Sequence, residues 1–237
     1  MEAAVDLHIH TALSPCSEEE MSPNNIVNMS LLKGLDIIAV TDHNSAENVC
    51  SVMECAKGSS LLVVPGMELE TMEEVHLVCL FESCDKALQM QEIVYSKLPP
   101  INNRVDIFGE QIIYDHDDNV TGKCDRLLQT AAGIGVDEAF DIVKGLGGVI
   151  IPAHIDRGSY SMLSNLGAIP DNLDIRYLEI STMCPRQKCL KITSSLNQYK
   201  FISSSDAHRL GDILERVNFI ELEELSVRYL LNKFRHG

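Results

Sequence analysis

The sequence predicts an α/β protein whose strands close into a barrel. Two observations favour this fold class. Short apolar, β-branched segments alternate with segments of helical periodicity, and histidines and acidic residues recur at the ends of the predicted strands. A closed barrel brings the carboxyl ends of its strands around one mouth, whereas an open sheet would spread the same residues along a line. We therefore predict one barrel with one polar site.

Each element follows from its local pattern. The first strand, residues 4–10, ends in His8 and His10, whose imidazoles share one face because strand side chains alternate. A helix follows, with Ser22 as its N-cap and Pro23 in its first turn. The remaining elements, in chain order, are strand 35–40, helix 46–56, strands 61–65 and 74–81, helices 84–97 and 136–146, strand 147–154, helix 160–166, strands 176–180, 200–205 and 217–221, and helix 225–234.

Residues 98–132 interrupt this alternation. They contain the turn-forming pairs Pro99-Pro100 and Asn102-Asn103 and an acidic run at 115–118. We predict that this region is an excursion from the barrel. No Pro-, Gly- or Ser-rich linker divides the 237 residues, so a single domain over residues 1–237 is expected.

The composition, 45% hydrophobic and 23% charged residues, is that of an ordinary globular protein. No apolar run reaches the roughly 18 residues that cross a bilayer, and the N-terminus lacks a signal-peptide pattern. A cytoplasmic location and no membrane partner are therefore expected. The eight cysteines are scattered along the chain, which favours reduced thiols over a disulfide framework.

The formal net charge of −16 at pH 7 would repel a phosphate backbone over most of the surface. We therefore expect no extended nucleic-acid binding. Divalent ions could still create a local positive site, because a composition count does not include them.

Most of the histidines share one placement. A single histidine at a strand end is usually a core or surface residue, but six of the eight lie at predicted strand ends or beside them, together with Glu68 and Asp206. This number of ligands exceeds one tetrahedral site and suggests two or three transition-metal ions bridged by a carboxylate. The six histidines are His8, His10, His43, His76, His154 and His208.

Four motifs that include these residues resemble the polymerase and histidinol phosphatase (PHP) family. They are Asp6-Leu7-His8-Ile9-His10, Thr41-Asp42-His43, Pro152-Ala153-His154 and Ser205-Asp206-Ala207-His208, and the resemblance runs from about residue 4 to residue 220. The resemblance implies a distorted (β/α)7 barrel, similar to a TIM barrel, with a trinuclear site. Its cofactors would be two or three divalent ions, Zn, Mn or Fe.

The resemblance also implies a ligand set. The ligands would be His8, His10, Glu68 and Asp206 for the first ion, Glu68, His76 and His154 for the second, and His43 and His208 for the third. The family often has a histidine where this sequence has Cys16. A thiolate there can ligate zinc or iron, and the alternative is a loop thiol without a metal. Asp42 is expected to orient a ligand histidine.

Such a site predicts hydrolysis of a phosphate ester by a metal-activated water, with Asp206, His208 and Glu68 as candidate catalytic residues. The arginines expected to bind phosphate oxygens are Arg157, Arg186 and Arg209. The leading hypothesis is a phosphoesterase whose partner is a small phosphorylated metabolite. The alternatives are a single-strand nuclease or polymerase-associated exonuclease, and a metal-stabilised binding module without turnover. The sequence leaves the oligomeric state open.

Overall fold

A computed structural model describes all 237 residues of the chain. The strands are β1 (Glu2–Ile9), β2 (Ile37–Val40), β3 (Leu62–Glu70), β4 (His76–Leu80), β5 (Ile112–Tyr114), β6 (Val120–Lys123), β7 (Val149–Pro152), β8 (Tyr177–Ser181), β9 (Lys200–Ser204) and β10 (Phe219–Glu221). The helices are α1 (Pro23–Leu32), α2 (Val49–Cys55), α3 (Cys84–Lys97), α4 (Val105–Phe108), α5 (Val136–Gly145), α6 (Met162–Asn165), α7 (Arg186–Ser195) and α8 (Val227–His236). None of these helices combines the length and the apolar character needed to cross a bilayer.

The strands form a curled sheet in a mixed α/β fold. Six of them are hydrogen-bonded in the order β10-β1-β2-β3-β4-β7, and β8 and β9 form a separate parallel pair. A bridge between Ile9 and Ala207 joins the end of β1 to the loop after β9, while the Ile155 N–H donates to the Glu179 carbonyl of β8. The β8–β9 pair therefore lies between β7 and the carboxyl end of β1.

The predicted α/β class is confirmed, but the exact (β/α)7 arrangement is not reproduced. Strand β4 runs antiparallel to both β3 and β7, and β10 runs antiparallel to β1. The connection between β3 and β4 is only residues 71–75 long. A turn of this length can join antiparallel strands, whereas a parallel pair needs a crossover of about a dozen residues.

Strand β2 lies at the centre of the fold and is buried on both faces. Ile38 and Val40 contribute to the larger apolar core, and Ile37 and Ala39 contribute to a smaller core against which α8 packs. This agrees with the continuous apolar run in the sequence, which is typical of a strand covered on both sides. The strand directs its polar C-terminal residues to the site described below.

The predicted excursion, residues 98–132, contains α4 and a hairpin formed by β5 and β6. It folds back over the loop that follows β1. The Ile112 N–H donates to the Ala12 carbonyl over 2.8 Å, and Gly109, at φ +98°, lies against the Pro15 carbonyl. The excursion is therefore one wall beside the polar ends of the strands.

Two further features differ from the sequence-based expectations. Helix α7 was not predicted; it has no buried residue, so its sequence carries little of the apolar periodicity that marks a packed helix. The expectation of reduced thiols is wrong for one pair, because Cys50 of α2 and Cys84 at the start of α3 form a disulfide. The packing of two helices brings these residues together across 34 positions of sequence, which their spacing does not reveal.

Gly66 holds β3 close to β4. A Cβ atom at this position would lie 2.7 Å from the Cys79 carbonyl oxygen and 2.9 Å from a methyl carbon of Leu80. We expect Gly66→Ala to lower the free energy of unfolding by about 1–3 kcal/mol, because the inserted methyl group overpacks the strand pair. Urea unfolding followed by circular dichroism measures this change.

Gly145, at the end of α5, provides the matched control. A Cβ atom there would meet no atom within 4 Å, so Gly145→Ala should be neutral or stabilising by up to about 1 kcal/mol. Equal stability of the two variants would contradict the close approach of β3 and β4 at Gly66.

Candidate metal centre

Glu68, near the end of β3, is the buried carboxylate around which the histidines gather. Its side chain is 1% exposed. The distances from its Oε1 are 2.8 Å to His76 Nδ1 and 3.2 Å to both His8 Nε2 and His154 Nε2; those from its Oε2 are 2.9 Å to His43 Nδ1 and 3.5 Å to His10 Nε2. Five of the six histidines singled out from the sequence thus contact one carboxylate.

Asp206 and the sixth histidine close the other side of the cluster. The Oδ1 atom of Asp206 lies 3.1 Å from His10 Nε2 and 3.4 Å from His8 Nε2. The His208 ring stacks on the His10 ring with 4.1 Å between centroids. His8 and His10 outweigh the effect of burial and hold the pKa of Asp206 below its ordinary value. Asp206 is therefore an ionised carboxylate that faces His8, in β1, and His10, just after β1.

Two residues of this site adopt left-handed backbone conformations. His154 has φ +28° and Asp206 has φ +52°. Residues other than glycine adopt such angles at a cost of about 1–3 kcal/mol, and strain of this kind clusters at functional sites. Here the conformation turns the chain sharply just after β7 and β9, so that both side chains point at Glu68 or its histidines.

The donor set fits divalent metal ions. Burying a polar atom that forms no hydrogen bond is costly, yet seven buried nitrogen and oxygen atoms of these residues form none, even where they lie 2.9–3.5 Å from one another. They are His8 Nε2, His10 Nε2, His43 Nδ1, His76 Nε2, His154 Nδ1, Glu68 Oε2 and Asp206 Oδ1. Imidazole nitrogens and carboxylate oxygens are the ligands that zinc, manganese and iron accept, so ions would satisfy these atoms.

Three groups have ligand atoms within 4.8 Å of one another. The groups are His8, His10, Glu68 and Asp206; His43, Glu68 and His76; and His10, His43 and His208. The first has the same members as the predicted ligand set of the first ion. In the second, His43 takes the place predicted for His154, although His154 still contacts Glu68. Cys16 belongs to none of the three groups, and its ligation stays a prediction.

The Cys16 thiol lies beside the third group. Burial raises the pKa of this thiol, but hydrogen bonds with His208 and His43 outweigh burial and lower the pKa to about 6. The thiols of Cys55 and Cys184 have the opposite shift, because burial raises the pKa of each to about 11. Cys16 is thus distinguished from these two thiols by its histidine neighbours.

We expect iodoacetamide to alkylate Cys16 selectively in the metal-free protein near neutral pH. The thiolate is the nucleophile, and a pKa of about 6 means that this form predominates above that pH. The rate should therefore rise with pH to a midpoint near 6, as measured by mass spectrometry of the modified peptide. Cys16→Ser removes the signal and serves as the control. A midpoint near the ordinary thiol value would contradict the contacts with His43 and His208.

Glu179, in β8, contacts His8 Nδ1, and no pattern in the sequence singled this residue out. Both carboxylate oxygens lie 3.1 Å from His8 Nδ1, and Oε1 also accepts the backbone N–H of His154 over 3.1 Å. Burial lowers the pKa of His8, but Glu179, Glu68 and Asp206 outweigh it and raise that pKa well above its ordinary value. The only sequence signal is a glutamate between Leu178 and Ile180 in a buried strand.

Asp42 orients His10 through Ser14. Its Oδ1 accepts hydrogen bonds from the Thr11 N–H and the Ser14 hydroxyl, both over 2.7 Å. Because the hydroxyl proton of Ser14 is directed at Asp42, the Ser14 oxygen accepts from His10 Nδ1 at 2.9 Å. His10 Nε2 is then free to bind an ion. This arrangement agrees with the predicted orienting role of Asp42.

A cavity of about 650 Å³ opens over the cluster. Arg157 lines it and pairs with Asp206 Oδ2 over 2.7 Å. The other two predicted phosphate-binding arginines lie elsewhere. Arg209 is exposed and pairs with Glu18 over 3.1 Å, and Arg186 is exposed at the start of α7. Neither of them lines the cavity, because sequence proximity to a strand end does not fix the direction of a long side chain.

Comparisons with known proteins place this geometry in a family. The sequence model of the PHP domain matches residues 6–134, more than half of the chain. An uncharacterized protein of Methanocaldococcus jannaschii is 30% identical over 156 residues, which are 65% of this chain and 16% of that protein. The crystal structure of the lesion-specific endonuclease Q of Pyrococcus furiosus superposes with a TM-score of 0.74 at 16% identity, covering 100% of this chain and 57% of that one.

A second structure shows endonuclease Q in complex with a 27-mer duplex substrate that has an abasic lesion at the active site. It superposes with a TM-score of 0.69 at 16% identity, again over 100% of this chain and 57% of that one. The chain thus spans little more than half of the solved chains and a smaller part of the archaeal protein. At these identities the structural similarity shows the shared fold.

The duplex bound by endonuclease Q overturns the predicted partners. A small phosphorylated substrate and no extended nucleic-acid binding were expected from the formal net charge of −16 and the family resemblance. The protein that shares this fold over the full length of the chain instead binds a DNA duplex at its active site. The net charge is a sum over the whole surface and does not include the ions that a local cluster would hold, so it does not exclude nucleic acid.

Proposed function

The chain belongs to the PHP domain family of metal-dependent hydrolases, and on this premise we propose that it hydrolyses phosphodiester bonds of nucleic acid at the Glu68 cluster. One observation carries the proposal: unpartnered, buried imidazole and carboxylate atoms lie beneath an open cavity of about 650 Å³ lined by Arg157. The curled sheet that positions them belongs, in this proposal, to a single domain that extends over residues 1–237.

Two or three divalent ions, Zn, Mn or Fe, would be held by the groups described above. The first two groups share Glu68, which would bridge their ions. His10 belongs to the first and third groups but has one free nitrogen, since Nδ1 contacts Ser14. A third ion would therefore need another donor, and the neighbouring Cys16 thiolate would provide it. Bound ions would lower the pKa of a water molecule and withdraw charge from the phosphoryl group.

Arg157 and Asp206 act together on the substrate. Without substrate, the Arg157 guanidinium is paired with Asp206 Oδ2, and it is partly exposed to the cavity. A phosphodiester that enters the cavity competes for the guanidinium, because Arg binds phosphate oxygens in a bidentate manner. Asp206 Oδ2 is then free to accept a proton from the attacking water. Asp206 Oδ2 therefore becomes available as a base only after the phosphate has bound to Arg157.

Nucleic acid is favoured over a small phosphate ester by two observations. The fold of endonuclease Q matches the entire chain, and the cavity wall includes the aromatic rings of Phe108 and Tyr160. Because the protein has a formal charge of −16, the ions and Arg157 must provide the positive charge that attracts the phosphate. Affinity for an oligonucleotide should therefore depend strongly on metal loading.

A cleavage assay with measured metal content tests the proposal. Protein loaded with Mn, Fe or Zn is incubated with labelled single-stranded and duplex oligonucleotides, each with and without an abasic site. We expect cleavage by the loaded protein and its loss in Asp206→Asn. Cleavage of no oligonucleotide by fully loaded protein, or equal cleavage by Asp206→Asn, would refute the proposed function. A phosphomonoester run in parallel distinguishes a nuclease from a general phosphatase.

A further inference from the structure

Phe108 presents an aromatic ring to a cavity that is otherwise mostly polar. It is the last residue of α4, lines the cavity and is 38% exposed. The backbone of the turn that follows is held by two contacts of Gly109. Gly109 lies against the Pro15 carbonyl, and its own carbonyl accepts the Asn103 side-chain amide over 2.8 Å. The backbone next to Phe108 is thus held beside the loop that contains Cys16.

Tyr160 supplies a second aromatic ring to the same cavity. Its ring stacks on that of His76, with 4.8 Å between centroids and 29° between the planes. Its carbonyl accepts the His76 N–H over 2.9 Å. This ring is therefore held directly beside His76, a candidate ligand of the Glu68 cluster.

Gln129 adds an unused amide to the wall. The side chain is half-buried and lines the cavity, and it forms no hydrogen bond with another protein group. A side-chain amide has both donor and acceptor atoms, which matches the edge of a nucleobase. Neither an aromatic ring nor a free amide is needed to bind a phosphate group alone.

We propose that Phe108, Tyr160 and Gln129 form a nucleobase subsite that binds the base next to the scissile phosphate; this inference rests on the proposed nuclease function. Bases of nucleic acids stack on aromatic side chains in a largely sequence-tolerant way. A cavity of about 650 Å³ lies within the usual range for binding one small-molecule unit. The substrate class is therefore a strand with an intact base beside the cleaved bond.

The test compares oligonucleotides in which one nucleotide at a time lacks its base. For the metal-loaded wild type, we expect removal of one particular base to lower kcat/KM by about 10- to 100-fold, the range of base–aromatic stacking. Phe108→Ala should lower kcat/KM on the intact strand by a similar factor. It should have no further effect on the strand that lacks that base, because the two changes remove the same contact. Phe108→Trp keeps an aromatic ring at this position and should therefore retain the wild-type kcat/KM on the intact strand.

Ile107→Ala is the matched control. Ile107 precedes Phe108 in α4, is 61% exposed and does not line the cavity, so wild-type kinetics are expected. Thermal melting and metal content verify that each variant folds and binds ions. If Phe108→Ala lowers kcat/KM equally on intact and base-deficient strands, or leaves it unchanged, the subsite is refuted while the nuclease function stands. If the wild type cleaves no strand, the proposed function fails as well.

Discussion

Exchange of Glu68 for glutamine is expected to remove the bound ions and the hydrolytic activity together. The carboxylate contacts five histidines and belongs to two of the three ligand groups, so no other single side chain touches as much of the site. Loss of an orienting residue around a metal typically lowers affinity by 10- to 100-fold. Loss of the proposed bridging ligand should exceed about 100-fold in metal affinity.

Two measurements check this result. Elemental analysis after dialysis gives the number of ions per chain, and the cleavage assay gives the activity. Glu74→Gln is the matched control, because Glu74 is exposed in the turn between β3 and β4 and belongs to none of the ligand groups. Full metal content in Glu68→Gln would mean that the ions bind elsewhere. Lost metal content in both variants would point to damage to the turn.

The candidate ligands could be predicted from the sequence because they lie at or beside the ends of predicted strands. His8 and His10 lie at the end of an alternating apolar segment, and His43 follows a β-branched run, so local pattern and placement were sufficient. Glu179 has no such mark. Its role depends on β8 lying beside the end of β1, a contact across 171 residues that no local pattern encodes.

The arginines show a second reason why sequence was insufficient. Arg157 and Arg209 both follow a ligand histidine within three residues, yet one pairs with Asp206 in the cavity and the other with Glu18 outside it. A long flexible side chain takes its direction from the nearest charged partner, and that partner is set by the tertiary fold. The antiparallel β4 is a different case, because the sequence already predicted only a short turn before strand 74–81, and such a turn favours an antiparallel pair.

Glu179→Gln is expected to weaken metal binding by about 10- to 100-fold while the protein stays folded. Both Glu179 oxygens face His8 Nδ1, which leaves His8 Nε2 free toward Glu68 and Asp206. Glutamine retains an oxygen that can accept the His154 N–H, but it removes the charge that makes His8 more basic. Competition with a coloured chelator measures the affinity, and Glu221→Gln, an exposed glutamate of β10, is the control.

The pH dependence separates positioning from simple loss of structure. An ion binds only the neutral imidazole, so protons compete with it below the pKa of His8. Glu179 contributes to raising that pKa, and its replacement should lower it, which moves the midpoint of metal uptake to lower pH. Affinity at high pH should nevertheless fall, because the imidazole is less basic and less well oriented. A loosened site would lose affinity with an unchanged midpoint, and that outcome would refute the role of Glu179 in controlling His8.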